Sequence, residues 1–77
     1  MPKNIALIGC GNWGKNLIRN FFELNALLGI YDKEKEVSFS YKKKYPDITV
    51  YDSEDDLLND SLVSAVIIAT FVTYPLE

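Results

Sequence analysis

Three glycines, Gly9, Gly11 and Gly14, and one acid, Asp32, are the residues of this chain whose types and spacing could do chemistry. The run Gly9-Cys10-Gly11-Asn12-Trp13-Gly14 follows directly on the apolar segment Ile5-Ala6-Leu7-Ile8 and opens a helical pattern. Asp32 stands 21 residues after Gly11, at the end of a second apolar run. Strand, Gly-x-Gly-x-x-Gly turn, helix and distal acid together are the sequence form of a dinucleotide-binding βαβ unit. Gly9 lets the chain leave the strand through a tight turn. Gly11 lets the backbone approach a pyrophosphate, and Gly14 lets the helix pack down onto the sheet. Free N–H groups and the positive end of the helix dipole then hold the phosphates. A chain of net charge −3 can thus bind a pyrophosphate without a basic cluster. At the tip of the second strand, the Asp32 carboxylate can accept from both hydroxyls of an adenine ribose. It also repels a 2′-phosphate, which favours NAD over NADP. The same residue is placed to N-cap the following helix, and the two roles are compatible.

The remaining chemically capable residues read more plainly. Cys10 lies in the phosphate turn near a helix N-terminus, a place that can lower a thiol pKa. No histidine exists to activate it, so it is expected to be a small residue filling a turn beside the cofactor. One cysteine excludes an internal disulfide, and with no histidine there is no Cys/His metal constellation. Lys33, Lys35 and Lys42-Lys43-Lys44 are interleaved with or offset by Glu34 and Glu36 and read as a solvated helix surface, not a nucleic-acid patch. Ala69-Thr70 ends a strand at the edge where open α/β sheets bind ligands. Thr70 is placed either to touch the nicotinamide ribose or diphosphate, or simply to end the strand.

The elements that must position these residues alternate regularly. Asn4–Ile8 is a buried parallel strand by its short continuous apolar run. Trp13, Leu17, Ile18, Phe21 and Phe22 mark the core face of a first helix that stops near Leu24-Asn25. Ala26–Tyr31 is the second strand, with Gly29 marking a weak point or a close backbone approach. Lys33–Tyr45 is a second helix with Val37, Tyr41 and Tyr45 on one line, closed by Pro46. Ile48–Tyr51 is a third strand. Ser53 caps a third helix whose Leu57, Leu58 and Leu62 face the sheet. Ser64–Ala69 is the fourth strand. The pattern βαβαβαβ predicts an α/β Rossmann-like parallel sheet of four strands in spatial order 3-2-1-4, an incomplete doubly wound fold.

Size and composition agree. Seventy-seven residues, 48% hydrophobic and 25% charged, suit part of one soluble domain, here 1–75. Leu76-Glu77 matches the residue pair left by a common cloning site and is set aside as vector-derived. No apolar run approaches the roughly 20 residues needed to span a bilayer, and no signal-peptide pattern opens the chain. The expected compartment is the cytoplasm.

Assembled in this way, the chain resembles the N-terminal NAD(P)-binding domain of the glucose–fructose oxidoreductase / inositol dehydrogenase family (Gfo/Idh/MocA). The residues carrying the resemblance are Ile5 to Leu17, Tyr31-Asp32, Tyr51-Asp52-Ser53 with Leu57-Leu58, and Ala65 to Thr70. The wording Gly11-Asn12-Trp13-Gly14-Lys15-Asn16-Leu17 is most similar to members acting on nucleotide-linked sugars. The resemblance implies an NAD(P)-dependent oxidoreductase moving hydride at a sugar carbon, with Gly9, Gly11, Gly14, Asp32 and Thr70 as cofactor contacts. It also marks departures. Phe71 stands where the family has proline, the following histidine is missing, and no Glu-Lys-Pro motif with its assisting lysine occurs. The expectation is a truncated nucleotide-binding half, without catalytic residues of its own and inert alone. Its fourth strand would offer an apolar edge to a second copy, giving a homodimer through Ala65–Tyr74. A non-catalytic nucleotide-sensing or self-associating module is the competing reading.

Overall fold

Four short parallel strands alternate with three helices: β1 (Ile5–Ile8), α1 (Asn12–Glu23), β2 (Leu27–Tyr31), α2 (Lys35–Lys44), β3 (Thr49–Val50), α3 (Glu54–Asn59) and β4 (Ala65–Ile68). The computed structural model describes residues 3–10 and 12–69, with the backbone alone at Asn12 and Trp13. The strands lie in the order β3-β2-β1-β4, all parallel, as the alternation of the sequence requires. Between β1 and β4 the order reverses, which is the switch point at which such sheets bind ligands.

Both sheet faces are covered. On one, Leu7, Leu27, Ile30 and Ile48 pack with Ile18 of α1 and with Val37 and Tyr41 of α2. On the other, Ala6, Ile8 and Tyr51 pack with Leu57 of α3. This two-sided burial is why β1 reads as a continuous apolar run and not as an alternating one.

Local signals set the ends of the elements. The α1 helix closes in a Schellman arrangement: Ala26 N–H donates to Phe21 O and Asn25 N–H to Phe22 O, both at 2.9 Å. Asn25 occupies the left-handed position at φ 58°, a role open to asparagine as well as glycine. Ser53 Oγ accepts from Asp56 N–H at 3.0 Å, the cap its sequence position predicts. Ahead of α2 the chain runs on as far as Lys35, two residues later than the sequence pattern suggests.

Several expectations need correction. Leu58 and Leu62 do not face the sheet: they are 55% and 65% exposed, and only Leu57 is buried. The α3 helix ends at Asn59, so Leu62 lies beyond it, and Leu58 is turned about 100° from the buried Leu57. Phe22 is also exposed in part and stacks on Tyr45 with ring centroids 4.3 Å apart. The third strand keeps only two ladder residues, although Ile48 and Tyr51 beside them are buried. The second strand is irregular: Ile5 pairs with Leu27 but Ala6 with Gly29, so Leu28 is left over. The bulge turns Leu27 and Ile30 to the same face. Gly29 is the close-approach glycine of the two readings, since a Cβ there would lie 2.6 Å from both Thr49 O and Tyr51 Cε2.

Candidate functional site

The turn after β1 is built on two of the three glycines. Gly9 adopts φ 94°, which L side chains rarely take, and its N–H donates to Tyr31 O at 2.8 Å. Gly14 sits in the first turn of α1 with its α-carbon against the Gly9 carbonyl. A Cβ there would overlap the Gly9 oxygen and lie 3.1 Å from its carbonyl carbon. The helix can therefore press down on the strand exit only because residue 14 has no side chain. Gly11 and Thr70 lie outside the described residues. Asn12 and Trp13 form the first residues of α1.

Asp32 follows the last residue of β2, at the C-terminal edge of the sheet, and its carboxylate reaches across to the glycine turn. Oδ2 accepts from Cys10 N–H at 2.8 Å, and Oδ1 accepts from Glu34 N–H at 2.8 Å. The second bond closes a local turn ahead of α2. Asp32 thus shapes the approach to the helix without being its N-cap, a position Glu34 occupies with no side-chain cap bond. Each carboxylate oxygen has a further lone pair, so both bonds leave acceptor capacity facing outward.

Cys10 is held on every side. Its N–H is bound by Asp32, its carbonyl accepts from Tyr41 Oη at 3.4 Å, and its side chain is buried in the core. Burial and then the neighbouring Asp32 charge push its thiol up to about 12. It stays protonated at neutral pH and is no nucleophile, in keeping with the turn-filling role read from the sequence. Burial, followed by Cys10, Tyr45 and Asp32, also raises the Tyr41 hydroxyl above its ordinary range, leaving it a donor.

These residues open onto a cleft of about 570 Å³ lined by Ile8, Gly9, Cys10, Tyr31, Asp32 and Ala69 among others. Ala69 is buried, with its N–H donating to Ile8 O at 2.7 Å, so β4 continues its pairing to the rim. Lys33, Glu34, Val37 and Glu54 complete the wall. The structure thus brings Gly9, Cys10, Asp32 and Ala69 to one cleft. Sequence reasoning missed Tyr41, assigned only to an apolar helix face, and Glu54, assigned only to a helix start. For Glu54 a signal existed: whatever follows a parallel strand arrives at the C-terminal edge of the sheet, where ligands bind.

A model of the "Oxidoreductase family, NAD-binding Rossmann fold", GFO_IDH_MocA, matches residues 3–73. The chain belongs to the Gfo/Idh/MocA oxidoreductase family. No curated protein and no solved structure matches it. The match spans all seven elements, and the Gfo/Idh/MocA domain so identified is the NAD-binding one. A dinucleotide fits what the family's fold presents here: a side-chain-free wall at Gly9 in a turn that Gly14 lets close tightly, and an acid with spare acceptor capacity at the tip of β2. The lysines expected to be surface residues are so placed. Lys42 Nζ donates to the carbonyls of Pro46 and Ile48, and Lys44 lies over the Tyr45 ring at 5.6 Å. Among the described residues no helix is long and apolar enough to cross a membrane, and no cluster of three or more His, Cys, Asp or Glu could hold a metal ion.

Proposed function

We propose that this chain binds NAD in the cleft at the C-terminal ends of β1, β2 and β4, as the nucleotide-binding half of an oxidoreductase acting on a sugar or sugar nucleotide. The observation that carries the reading is the Asp32 carboxylate, fixed by two 2.8 Å bonds at the mouth of that cleft. In this reading the turn Gly9, Cys10, Gly11, Asn12, Trp13 and Gly14 cradles the pyrophosphate, with Gly9 and Cys10 shaping the turn while their own N–H groups stay bound to Tyr31 and Asp32. Asp32 holds the adenine ribose, and Ala69 and Thr70 flank the nicotinamide side. Among the described residues the charged groups lining the cleft are Asp32, Glu34 and Glu54 with Lys33, a balance that disfavours the extra charge of NADP. NAD when bound supplies the hydride chemistry. No residue here matches the family's Glu-Lys-Pro lysine, so these 77 residues bind without turning substrate over. The place of action is the cytoplasm.

Titrating NADH and NADPH while following energy transfer from Trp13 tests this. NADH is expected to bind at least tenfold more tightly than NADPH. Equal affinities would remove the NAD preference, and no binding at millimolar concentration would sink the reading.

One observation favours self-association as well. Ile68 on β4 is 69% exposed, and the side of β4 away from β1 has no strand partner among the described residues. An open apolar edge invites pairing, so we propose a homodimer through the β4 edge, within the span Ala65–Tyr74. Light scattering should give a dimer that Ile68→Lys dissociates. A folded monomer at micromolar concentration refutes it.

A further inference from the structure

Glu54 is no part of the glycine-and-acid signature, yet it lines the same cleft as Asp32. Its backbone is fixed from both sides. Ser53 caps the helix through Asp56 N–H, and Leu57, one turn on, is fully buried. Just before the cap, Lys35 Nζ donates to Asp52 O at 3.3 Å and lies 3.6 Å from Asp52 Oδ1, tying the loop to α2. The first turn of α3 carries three acids, Glu54, Asp55 and Asp56, all of which complement the helix dipole. Of the three, only Glu54 lines the cleft. Among the described residues its carboxylate makes no hydrogen bond and no ion pair.

Resting on the dinucleotide reading above, we infer that Glu54 reads the 6-amino edge of the adenine base. With the pyrophosphate at the turn after β1 and the ribose at Asp32 after β2, the base lies further along the strand order, toward β3. The chain leaving β3 leads directly to Ser53 and Glu54. A carboxylate only accepts hydrogen bonds, and the exchangeable donors of adenine in a dinucleotide are the two N–H of its 6-amino group. Val37 and Tyr31 supply apolar wall beside it.

Calorimetric titration of the 77-residue chain with NAD and with its analogue carrying unsubstituted purine, in which hydrogen replaces the 6-amino group and N1 bears no proton, tests the assignment. The unaltered chain is expected to prefer NAD by about tenfold, the size of one charge-assisted hydrogen bond. Glu54→Ala and Glu54→Lys, whose ammonium offers donors only, should each bring the ratio to about twofold or less. Asp55→Ala, which removes a first-turn acid of the same helix, should leave it at tenfold. An unchanged ratio in the Glu54 variants, an equal fall in Asp55→Ala, or an unaltered chain with no preference overturns the assignment alone. Failure of both dinucleotides to bind overturns the dinucleotide reading with it.

Discussion

Replacing Gly14 by alanine sets two physical terms against each other, and the structure decides which wins. Alanine in a helix is intrinsically better than glycine by about 1 kcal/mol, partly because the unfolded chain loses freedom. Against this, the added methyl would overlap the Gly9 carbonyl oxygen and crowd its carbon at 3.1 Å, while only Leu7 Cδ2, at 3.6 Å, is at ordinary contact. Both crowded atoms are backbone and cannot rotate aside. Gly9 is moreover held by its own N–H bond to Tyr31 O and by φ 94°. The helix must therefore lift off β1, and overpacking of this kind costs about 1–3 kcal/mol, more where nothing can yield. We expect a net loss of about 1–2 kcal/mol, a lowering of Tm by about 4–16 °C for so small a domain. Thermal unfolding followed by circular dichroism measures it. Asn16→Ala, at an exposed site of the same helix, is the control and should be neutral or slightly stabilising. A Gly14→Ala protein as stable as the unaltered chain would refute the claim that residue 14 is glycine for close packing. NADH affinity should fall with it, because the lifted helix reopens the turn.

Other substitutions probe separate parts of the fold. Ser38 is buried with its hydroxyl lacking any partner among the described residues, so Ser38→Ala should raise stability by about 1 kcal/mol in urea unfolding. Asn25→Gly should be neutral or mildly stabilising, whereas Asn25→Val, forced to φ 58°, should cost about 1–2 kcal/mol in the same assay. Asp60 accepts from Leu62 N–H at 2.9 Å and from Tyr51 Oη at 2.7 Å, which hold its carboxyl below the ordinary carboxylate range. Its contribution is present above the unfolded pKa of about 3.9 and is lost as pH falls through the lower folded value. Tyr51→Phe should therefore destabilise at pH 7 and show a shallower acid loss of stability below pH 4 than the unaltered chain.

The sheet was legible because β1 and most of β2 are buried between the helix layers and, like the more exposed β4, announce themselves as apolar runs separated by helices with clear stops. What stayed hidden was set by distance or by length. That Leu28 would drop out of the ladder depends on how Gly29 packs beneath Tyr51 and against Thr49, a contact no local window contains. Leu58 and Leu62 look like core by type, yet the helix stops at Asn59 before Leu62, and Leu58 is turned away from the face on which Leu57 is buried. The asparagine at the end of α1 carries its own signal, but its two Schellman bonds exist only once Ala26 has entered the sheet.

In the cleft, the division is between residues that act on their neighbours in sequence and residues that meet across the fold. Glycine spacing is local, and so it was readable. The Asp32 bond to Cys10 spans 22 positions and the Tyr41 bond to Cys10 spans 31. Neither belongs to any motif. In the proposed reading Asp32 is therefore under two demands: it staples the glycine turn through its bond to Cys10, and its remaining lone pairs are the ones left for the ribose. Asparagine, of the same length, and the shorter serine or alanine would surrender the charge that strengthens such bonds, and the longer arm of glutamate would displace one to reach the other. The acid that appears in the sequence as a cofactor signature is, in the folded chain, first a structural bond that holds the cleft ready.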